Sequence, residues 1–291
     1  MPTAVSILGL AATALVAATG DGAEPLAVIP FKREGKLMMV ETRINQSAPR
    51  WFILDSGASH SVFSPQLAEA LRLTLSKDKP TTGTGKGEVT LLRSEPVKMQ
   101  LAGLTLDIPA PWIIDLSNVP IPKETAGLIG AELFKRFVVR IDPQAEKLTV
   151  FAPESYSQDS RASSVPLIVD GDKLFLEATL TVADGKSVTH RLRIDTGSEG
   201  AINDEIVRES VDRQQSTLGG GLGENFAGYS GSVRSVKIGA FEFRNVWTTG
   251  APHPAIGMEL LRRFVLTFDA PHGRLYLEPT KSLDEPVAPG G

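Results

Sequence analysis

Two short motifs in this sequence place a carboxylate, a hydroxyl and a glycine at the end of a strand-like segment. The first is Asp55-Ser56-Gly57, which follows the apolar run Trp51 to Leu54, and the second is Asp195-Thr196-Gly197. A single triplet of this kind usually forms a turn, because all three residue types favour turns. However, burying a lone carboxylate beside an apolar strand is costly. The recurrence of the motif in one chain therefore indicates a role that the two copies share.

The two acids have the chemistry of a cooperating pair. If the two segments pack about a local twofold axis, as repeated units tend to, Asp55 and Asp195 can meet at that axis. Two carboxylates in contact cannot both ionise easily, so one keeps a proton and the other carries the charge. The charged carboxylate can take a proton from a bound water molecule while the neutral one polarises a carbonyl. The motifs therefore favour general acid–base chemistry.

A longer internal repeat supports this pairing. The segment "GLIGAELFKRFVVRIDPQAEKLTVF", residues 127–151, matches "PAIGMELLRRFVLTFDAPHGRLYLE", residues 254–278, without a gap. Both segments predict a short helix followed by a hairpin, and the segments before them read mostly as strands. We also predict a helix that starts with Ser64 as N-cap and Pro65 at its first position, and a second that starts at Asn203 or Asp204. The two halves are thus expected to share one architecture.

Composition divides the 291 residues into five expected regions. The apolar run 4–18 and the small residues after it are typical of a signal peptide, although no Lys or Arg precedes Lys32. An uncleaved membrane anchor is the alternative, but the run is short for a membrane span. The expected regions are a signal peptide at 1–23, a first lobe at 24–153, a polar linker at 154–164, a second lobe at 165–280 and a loose tail at 281–291. We expect an exported protein, periplasmic or secreted.

These motifs resemble those of the aspartic peptidases of the pepsin and retroviral type. The Asp-Thr/Ser-Gly turn of that family corresponds to Asp55-Ser56-Gly57 and Asp195-Thr196-Gly197, and its second signature resembles Leu128-Ile129-Gly130 and Ala255-Ile256-Gly257. The chain is similar to a fused dimer of small, bacterial, retroviral-protease-like units. The resemblance implies an all-β fold with a few short helices, built as two homologous β-barrel lobes related by a pseudo-twofold axis. It also implies an aspartic endopeptidase that needs no cofactor and no metal, with Asp55 and Asp195 as the catalytic pair.

Several other residues acquire expected roles from the same resemblance. The hydroxyls of Ser56 and Thr196 would brace the two acid loops against each other, with Gly57 and Gly197 completing the turns. Ser198 stands where the first copy has Ala58, so its hydroxyl could donate to the nearby carboxylate and favour the charged form. We therefore expect Asp195 to be ionised more often than Asp55.

Two glycine-rich segments are candidates for flaps that close over a substrate. The candidate positions are Gly83, Gly85 and Gly87 within 81–90, and Tyr229 within 219–232. Glycine permits hinge motion and close backbone approach. Disordered loops are the alternative for both segments.

The remaining composition excludes other chemistries. The chain has no cysteine, a net charge of −4 and no block of basic residues, so a thiolate nucleophile and a nucleic acid partner are not expected. The four histidines (His60, His190, His253 and His272) lack the HExxH spacing of a zinc site, and no P-loop or GxSxG motif occurs. We expect a peptide or protein substrate, no stable membrane partner, and a monomer whose lobes pair within one chain. The rivals are a non-catalytic peptide-binding or assembly module on the same fold, and pairing of lobes between chains.

Overall fold

The computed structural model describes residues 23–81, 89–158, 163–219 and 221–287. These residues are mostly β, and the expected all-β class with a few short helices is confirmed. The strands of the first half are β1 (Ala27–Glu34), β2 (Leu37–Ile44), β3 (Arg50–Leu54), β4 (Val62–Phe63), β5 (Leu75–Lys77), β6 (Leu92–Ser94), β7 (Val97–Leu101), β8 (Leu104–Ile108), β9 (Trp112–Ile113), β10 (Thr125–Ile129), β11 (Val138–Asp142) and β12 (Lys147–Phe151). Those of the second half are β13 (Ser163–Pro166), β14 (Ile168–Asp170), β15 (Lys173–Thr181), β16 (Ser187–Ile194), β17 (Ile202–Asn203), β18 (Gln214–Leu218), β19 (Phe226–Ile238), β20 (Phe241–Thr249), β21 (Ala255–Ile256), β22 (Phe264–Asp269) and β23 (Arg274–Pro279).

The helices are short and lie where the sequence predicts them. They are α1 (Pro65–Ala70), α2 (Ala131–Arg136) and α3 (Met258–Leu261), with 3-10 turns at Pro153–Ser155, Glu205–Glu209 and Ala270–His272. Ser64 caps α1 by accepting a hydrogen bond from the Leu67 amide, which confirms the predicted N-cap. The helix expected near Asp204 is a 3-10 turn rather than an α-helix, although Asp204 does cap it. Among the described residues, no helix has the length and hydropathy of a membrane-spanning segment.

The second half closes into a β-barrel. Its strands pair in the order β15, β16, β21, β17, β20 and β19, and β19 pairs again with β15 to close the ring. The first half follows the same order with β2, β3, β10, β4, β9 and β6, but shorter strands take the places of the long β19 and β20. Pro96 separates β6 from β7, and Pro109 and Pro111 separate β8 from β9. Proline has no amide hydrogen to donate, so these residues interrupt the ladders that run unbroken in the second half.

One sheet joins the two halves about a local twofold axis. Its order is β1, β12, β11, β22, β23 and β13, and β11 pairs antiparallel with β22. Arg140 lies opposite Thr267. These positions correspond in the internal repeat, because Arg140 is ten residues after Gly130 and Thr267 is ten residues after Gly257. A strand pair centred on equivalent positions is self-complementary, as a twofold axis requires. The rings of Phe134 and Phe268 meet at 4.8 Å and add an apolar contact between the halves.

Residues 281–287 of the expected loose tail contact the body of the protein. Arg263 is fully buried and donates to the carbonyls of Leu283 (3.1 Å) and Pro286 (3.1 Å), while Glu259 balances its charge at 3.0 Å. Leu283 and Val287 also pack against the core. The chain is therefore held to the body as far as residue 287. No periodic pattern in the sequence predicted this contact.

Candidate active site

Each motif acid lies at the end of a strand that pairs with the second signature of the same half. Asp55 follows β3, and its amide donates to the Ile129 carbonyl at the end of β10 (3.0 Å). Asp195 follows β16, and its amide donates to the Ile256 carbonyl at the end of β21 (3.0 Å). Both strand pairs are parallel, so each acid lies at the edge of the sheet where the carboxyl ends of two strands meet.

The two acid loops touch across the interface between the halves. A Cβ atom added to Gly57 would lie 2.6 Å from Cγ of Asp195, and one added to Gly197 would lie 2.4 Å from Cγ of Asp55. Non-bonded carbon atoms do not approach this closely. Glycine is therefore required at both positions, because each one lies directly against the carboxylate of the other half.

The hydroxyls of Ser56 and Thr196 bind the opposite loops reciprocally. Ser56 Oγ donates to the Ile194 carbonyl and Thr196 Oγ1 donates to the Leu54 carbonyl, both at 2.8 Å. Each hydroxyl also accepts from the other residue's amide, at 2.9 Å from Ser56 N and 3.2 Å from Thr196 N. The two residues are 1 % and 0 % exposed, so these four hydrogen bonds form without competition from water.

Burial and the second acid make Asp55 the proton-holding member of the pair. Burial first, and then the negative charge of Asp195, raises the pKa of Asp55 to about 7. The amides of Gly57 and Ala58 donate to Asp55 Oδ1 at 2.8 and 3.1 Å and oppose this rise, because they favour the charged form. The effects that raise the pKa of Asp55 are larger than those that lower it. Asp55 therefore keeps a proton below neutral pH, with the carboxylate of Asp195 beside it.

A guanidinium that the sequence reasoning missed lies beside Asp195. Arg193 Nη2 is 3.2 Å from Asp195 Oδ2, and its charge is the largest of the effects that lower the pKa of Asp55, ahead of the two amides. Residues i and i+2 of a strand point to the same face, so a charged residue two positions before the acid was a usable signal. The side-chain hydrogen bond expected from Ser198 is absent among the described residues; its amide donates to the Asp195 backbone carbonyl instead (3.3 Å). Arg193, rather than Ser198, is thus the side chain that contacts the Asp195 carboxylate within the same half.

The acids open into a cleft of about 840 Å³ that residues from both halves line. Leu218, Gly219 and Leu222 line it from the hairpin of β18 and β19, whose tip lies in the second candidate flap. Tyr229 is in this hairpin but does not line the cleft; its ring packs against Arg208, with the guanidinium 4.9 Å from the ring centre. Tyr229 thus belongs to the hairpin of the second candidate flap but not to the described lining of the cleft.

The first candidate flap is described only at its ends. Thr81 and Val89 form an isolated antiparallel bridge, with hydrogen bonds of 3.1 and 2.8 Å, and Thr81 lines the cleft. The predicted flap glycines Gly83, Gly85 and Gly87 lie outside the described residues.

The histidines occupy separate places. His60 stacks on Trp112 in the cleft wall at 4.4 Å, while His190 and His272 pair with Asp204 and Asp269. Within the described ranges, no group of three His, Asp or Glu side chains is arranged to hold a metal ion.

Comparison with known proteins bears on the first half of the chain. A family model described as "Aspartyl protease" matches residues 40–133, about a third of the sequence. This region includes Asp55-Ser56-Gly57 and Leu128-Ile129-Gly130, whereas the second acid lies outside it. No curated protein matches the chain. The match supports an assignment to the aspartyl protease family for the region that carries the first motif.

Proposed function

We propose that this protein is an aspartic endopeptidase in which Asp55 and Asp195, one from each half of the chain, activate one water molecule. The observation that carries the proposal is the mutual approach of the two acid loops, in which each motif glycine contacts the carboxylate of the other half. A cleft large enough for an extended peptide lies over the pair. The aspartyl protease match over residues 40–133 supports the same reaction class.

The proposed reaction uses the two carboxylates in opposite protonation states. Asp195 carries the charge, with the Arg193 guanidinium 3.2 Å away as its counter-ion, and Asp55 holds the proton. A water molecule between them gives a proton to Asp195 while its oxygen attacks the peptide carbonyl, and Asp55 donates its proton to the carbonyl oxygen. Proton transfer from Asp195 to the amide nitrogen then lets the C–N bond break, while Asp55 takes a proton back from one hydroxyl of the tetrahedral carbon, which becomes the product carboxyl group. The pair ends with one proton, as it began, and no covalent intermediate forms.

The supporting residues hold this geometry. The Ser56 and Thr196 hydroxyls keep the loops in register, since each binds a carbonyl of the opposite half. Because both halves belong to one chain, we propose a monomer with intrachain pairing. The two lobes are proposed to follow the expected boundaries 24–153 and 165–280. We also propose that residues 1–23 direct export; amino-terminal sequencing of the protein from its native host tests this.

Peptide cleavage by matched variants tests the proposed function. A diverse peptide library is incubated with the protein and with Asp55→Asn and Asp195→Asn, from acid to neutral pH. Cleavage is expected to disappear in both variants and in the presence of a statine-type inhibitor. Asp142→Asn is the control, because Asp142 only accepts from amides of its own turn, at Gln144 and Ala145. Cleavage that persists in either motif variant would refute the pair, and a folded protein that binds peptides without cleaving them would favour the binding module.

A further inference from the structure

The two walls of the cleft differ in chemistry at positions that correspond in the fold. Ile53 and Arg193 each stand two residues before the motif acid, and each pairs across to the preceding strand, with Met39 and Phe175 respectively. Both Ile53 and Arg193 line the cleft. Equivalent backbone positions therefore present an apolar side chain in the first half and a guanidinium in the second.

The same contrast of residue type holds at two further pairs of equivalent positions, of which Leu37, Lys173 and Arg191 line the cleft. Trp51 corresponds to Arg191, four residues before each acid. Leu37 corresponds to Lys173, because both are the first residue of their strand and pair back across a tight turn, to Glu34 and Asp170 respectively. Three equivalent positions thus change from apolar to basic. Since Arg191 and Arg193 are two apart on β16, they present their charges to the same face.

These charges are only partly neutralised by the protein itself. Lys173 makes no ion pair within the described ranges, and Nε of Arg193 is buried without a hydrogen-bond partner. Arg191 is 3.6 Å from Asp170, but the two side chains are 49 % and 69 % exposed, so water screens this contact. A fourth group, His253, lines the same cleft, and burial followed by the charges of Arg193 and Lys173 lowers its pKa.

Acidic groups on the described cleft wall are few. Besides Asp55 and Asp195, only Glu199 contributes a carboxylate there, and its Oε1 accepts from the Lys36 amide at 2.6 Å. Its carboxylate is therefore engaged by the hairpin of the first half. A buried guanidinium nitrogen without a partner, next to a lysine without a counter-ion, is a site that an anionic ligand would complete.

We propose that the wall formed by Lys173, Arg191 and Arg193 is a subsite for a carboxylate of the substrate, on one side of the scissile bond. The apolar wall with Leu37 and Ile53 accepts an uncharged, apolar residue on the other side. The carboxylate can come from an acidic side chain or from a free peptide C-terminus. The cleavage context rests on the proposed function, but carboxylate binding is a property of the cleft that can be measured without turnover.

Peptide binding to the Asp55→Asn protein provides the test. Octapeptides of one apolar sequence are acetylated and amidated, and Glu, Gln or Lys is scanned through the central positions. A further peptide has Gln with a free C-terminal carboxylate. Fluorescence anisotropy should give a dissociation constant about tenfold lower for the best Glu peptide than for its Gln counterpart, as expected for a charge-assisted hydrogen bond. Added salt should reduce this difference.

Variants of the exposed basic residues assign the effect to this wall. The double variant Lys173→Gln, Arg191→Gln should bind Glu and Gln peptides with affinities within about twofold of each other. Lys237→Gln is the control, since Lys237 is an exposed lysine of β19 outside the cleft lining and should keep the preference. Urea unfolding verifies that the double variant remains folded.

Each outcome decides the proposal. A preference for internal Glu supports binding of an acidic side chain, whereas a preference confined to the free C-terminus supports binding of a terminal carboxylate. Equal binding of all peptides, no binding of any, or a preference that survives the double variant overturns the subsite. Hydrolysis of the Glu peptide by the unsubstituted protein is measured separately. A binding preference for Glu without hydrolysis supports the subsite and refutes the endopeptidase activity. Hydrolysis without a charge preference supports the endopeptidase activity and refutes the subsite.

Discussion

Replacing Thr196 by Val should strongly destabilise the contact between the two acid loops. Valine has nearly the shape of threonine, but it removes the donor to the Leu54 carbonyl (2.8 Å) and the acceptor for the Ser56 amide (2.9 Å). Both backbone groups then stay buried without a partner, because Leu54 and position 196 are fully buried and Ser56 is 1 % exposed. Each unsatisfied group costs about 1–3 kcal/mol, so the free energy of unfolding should fall by about 2–6 kcal/mol.

Thr196→Ser is the matched control for this variant, because the first half of the chain has a serine, Ser56, at the equivalent position. Ser56 makes the equivalent contact with serine, so Thr196→Ser should keep both hydrogen bonds. It removes one buried methyl group and should cost only about 1 kcal/mol. Because a domain is commonly stable by about 5–15 kcal/mol, the two variants should be well separated.

Urea unfolding followed by tryptophan fluorescence measures the difference. The midpoint should move far lower for Thr196→Val than for Thr196→Ser, with the same slope if the transition remains two-state. Equal midpoints for the two variants would refute the reasoning, because the loss would then come from the methyl group or the cavity rather than from the hydroxyl. A fall in slope would indicate that the halves unfold separately.

Two further predictions concern Asp55 and the C-terminal segment. Because burial raises the pKa of Asp55 to about 7 in the folded protein, its contribution to stability is fully present below the unfolded value near 3.8 and is lost as pH rises through 7. Asp55→Asn should thus gain stability relative to the unsubstituted protein on the order of 4 kcal/mol between pH 4 and pH 8, measured by urea unfolding, and a pH-independent difference would contradict this. Arg263→Met should release the segment 281–287, since it removes donors to the Leu283 and Pro286 carbonyls. Hydrogen exchange in that segment should rise sharply in Arg263→Met but little in the control Arg244→Gln, whose side chain is 78 % exposed and lies beside Glu242, and equal protection in both would refute the anchoring role.

Local patterns were sufficient to predict the main elements around the site. The predicted strand ending at Leu54 and the N-cap at Ser64 are both confirmed, because strand alternation and capping depend on neighbours in the sequence. The short helix near Asp204 was right in position and wrong in type, since the difference between a 3-10 turn and an α-helix depends on packing.

Contacts between distant segments were predicted less well. Tyr229 was placed in a flap from its glycine-rich surroundings, yet the fold turns its ring toward Arg208, which is 21 positions earlier in the chain. The local sequence around Arg263 did not predict that its guanidinium binds the carbonyls of residues 282–286. The partners of a buried guanidinium depend on which distant segments pack around it. The contacts of Tyr229 and Arg263 depend on residues that are neighbours in the fold but not in the sequence, so the periodicity of the sequence does not predict them.

The sequence by itself determined the two motifs, their recurrence and the strands that lead to them, since composition, spacing and local pattern carry that information. Only the tertiary structure decided that each motif glycine lies against the opposite carboxylate and that Arg193, not Ser198, is the partner of Asp195. The electrostatic balance of a pair depends on burial and on charges within a few ångström, and both are set by packing across the interface. The same packing places apolar and basic residues at equivalent positions of the two cleft walls.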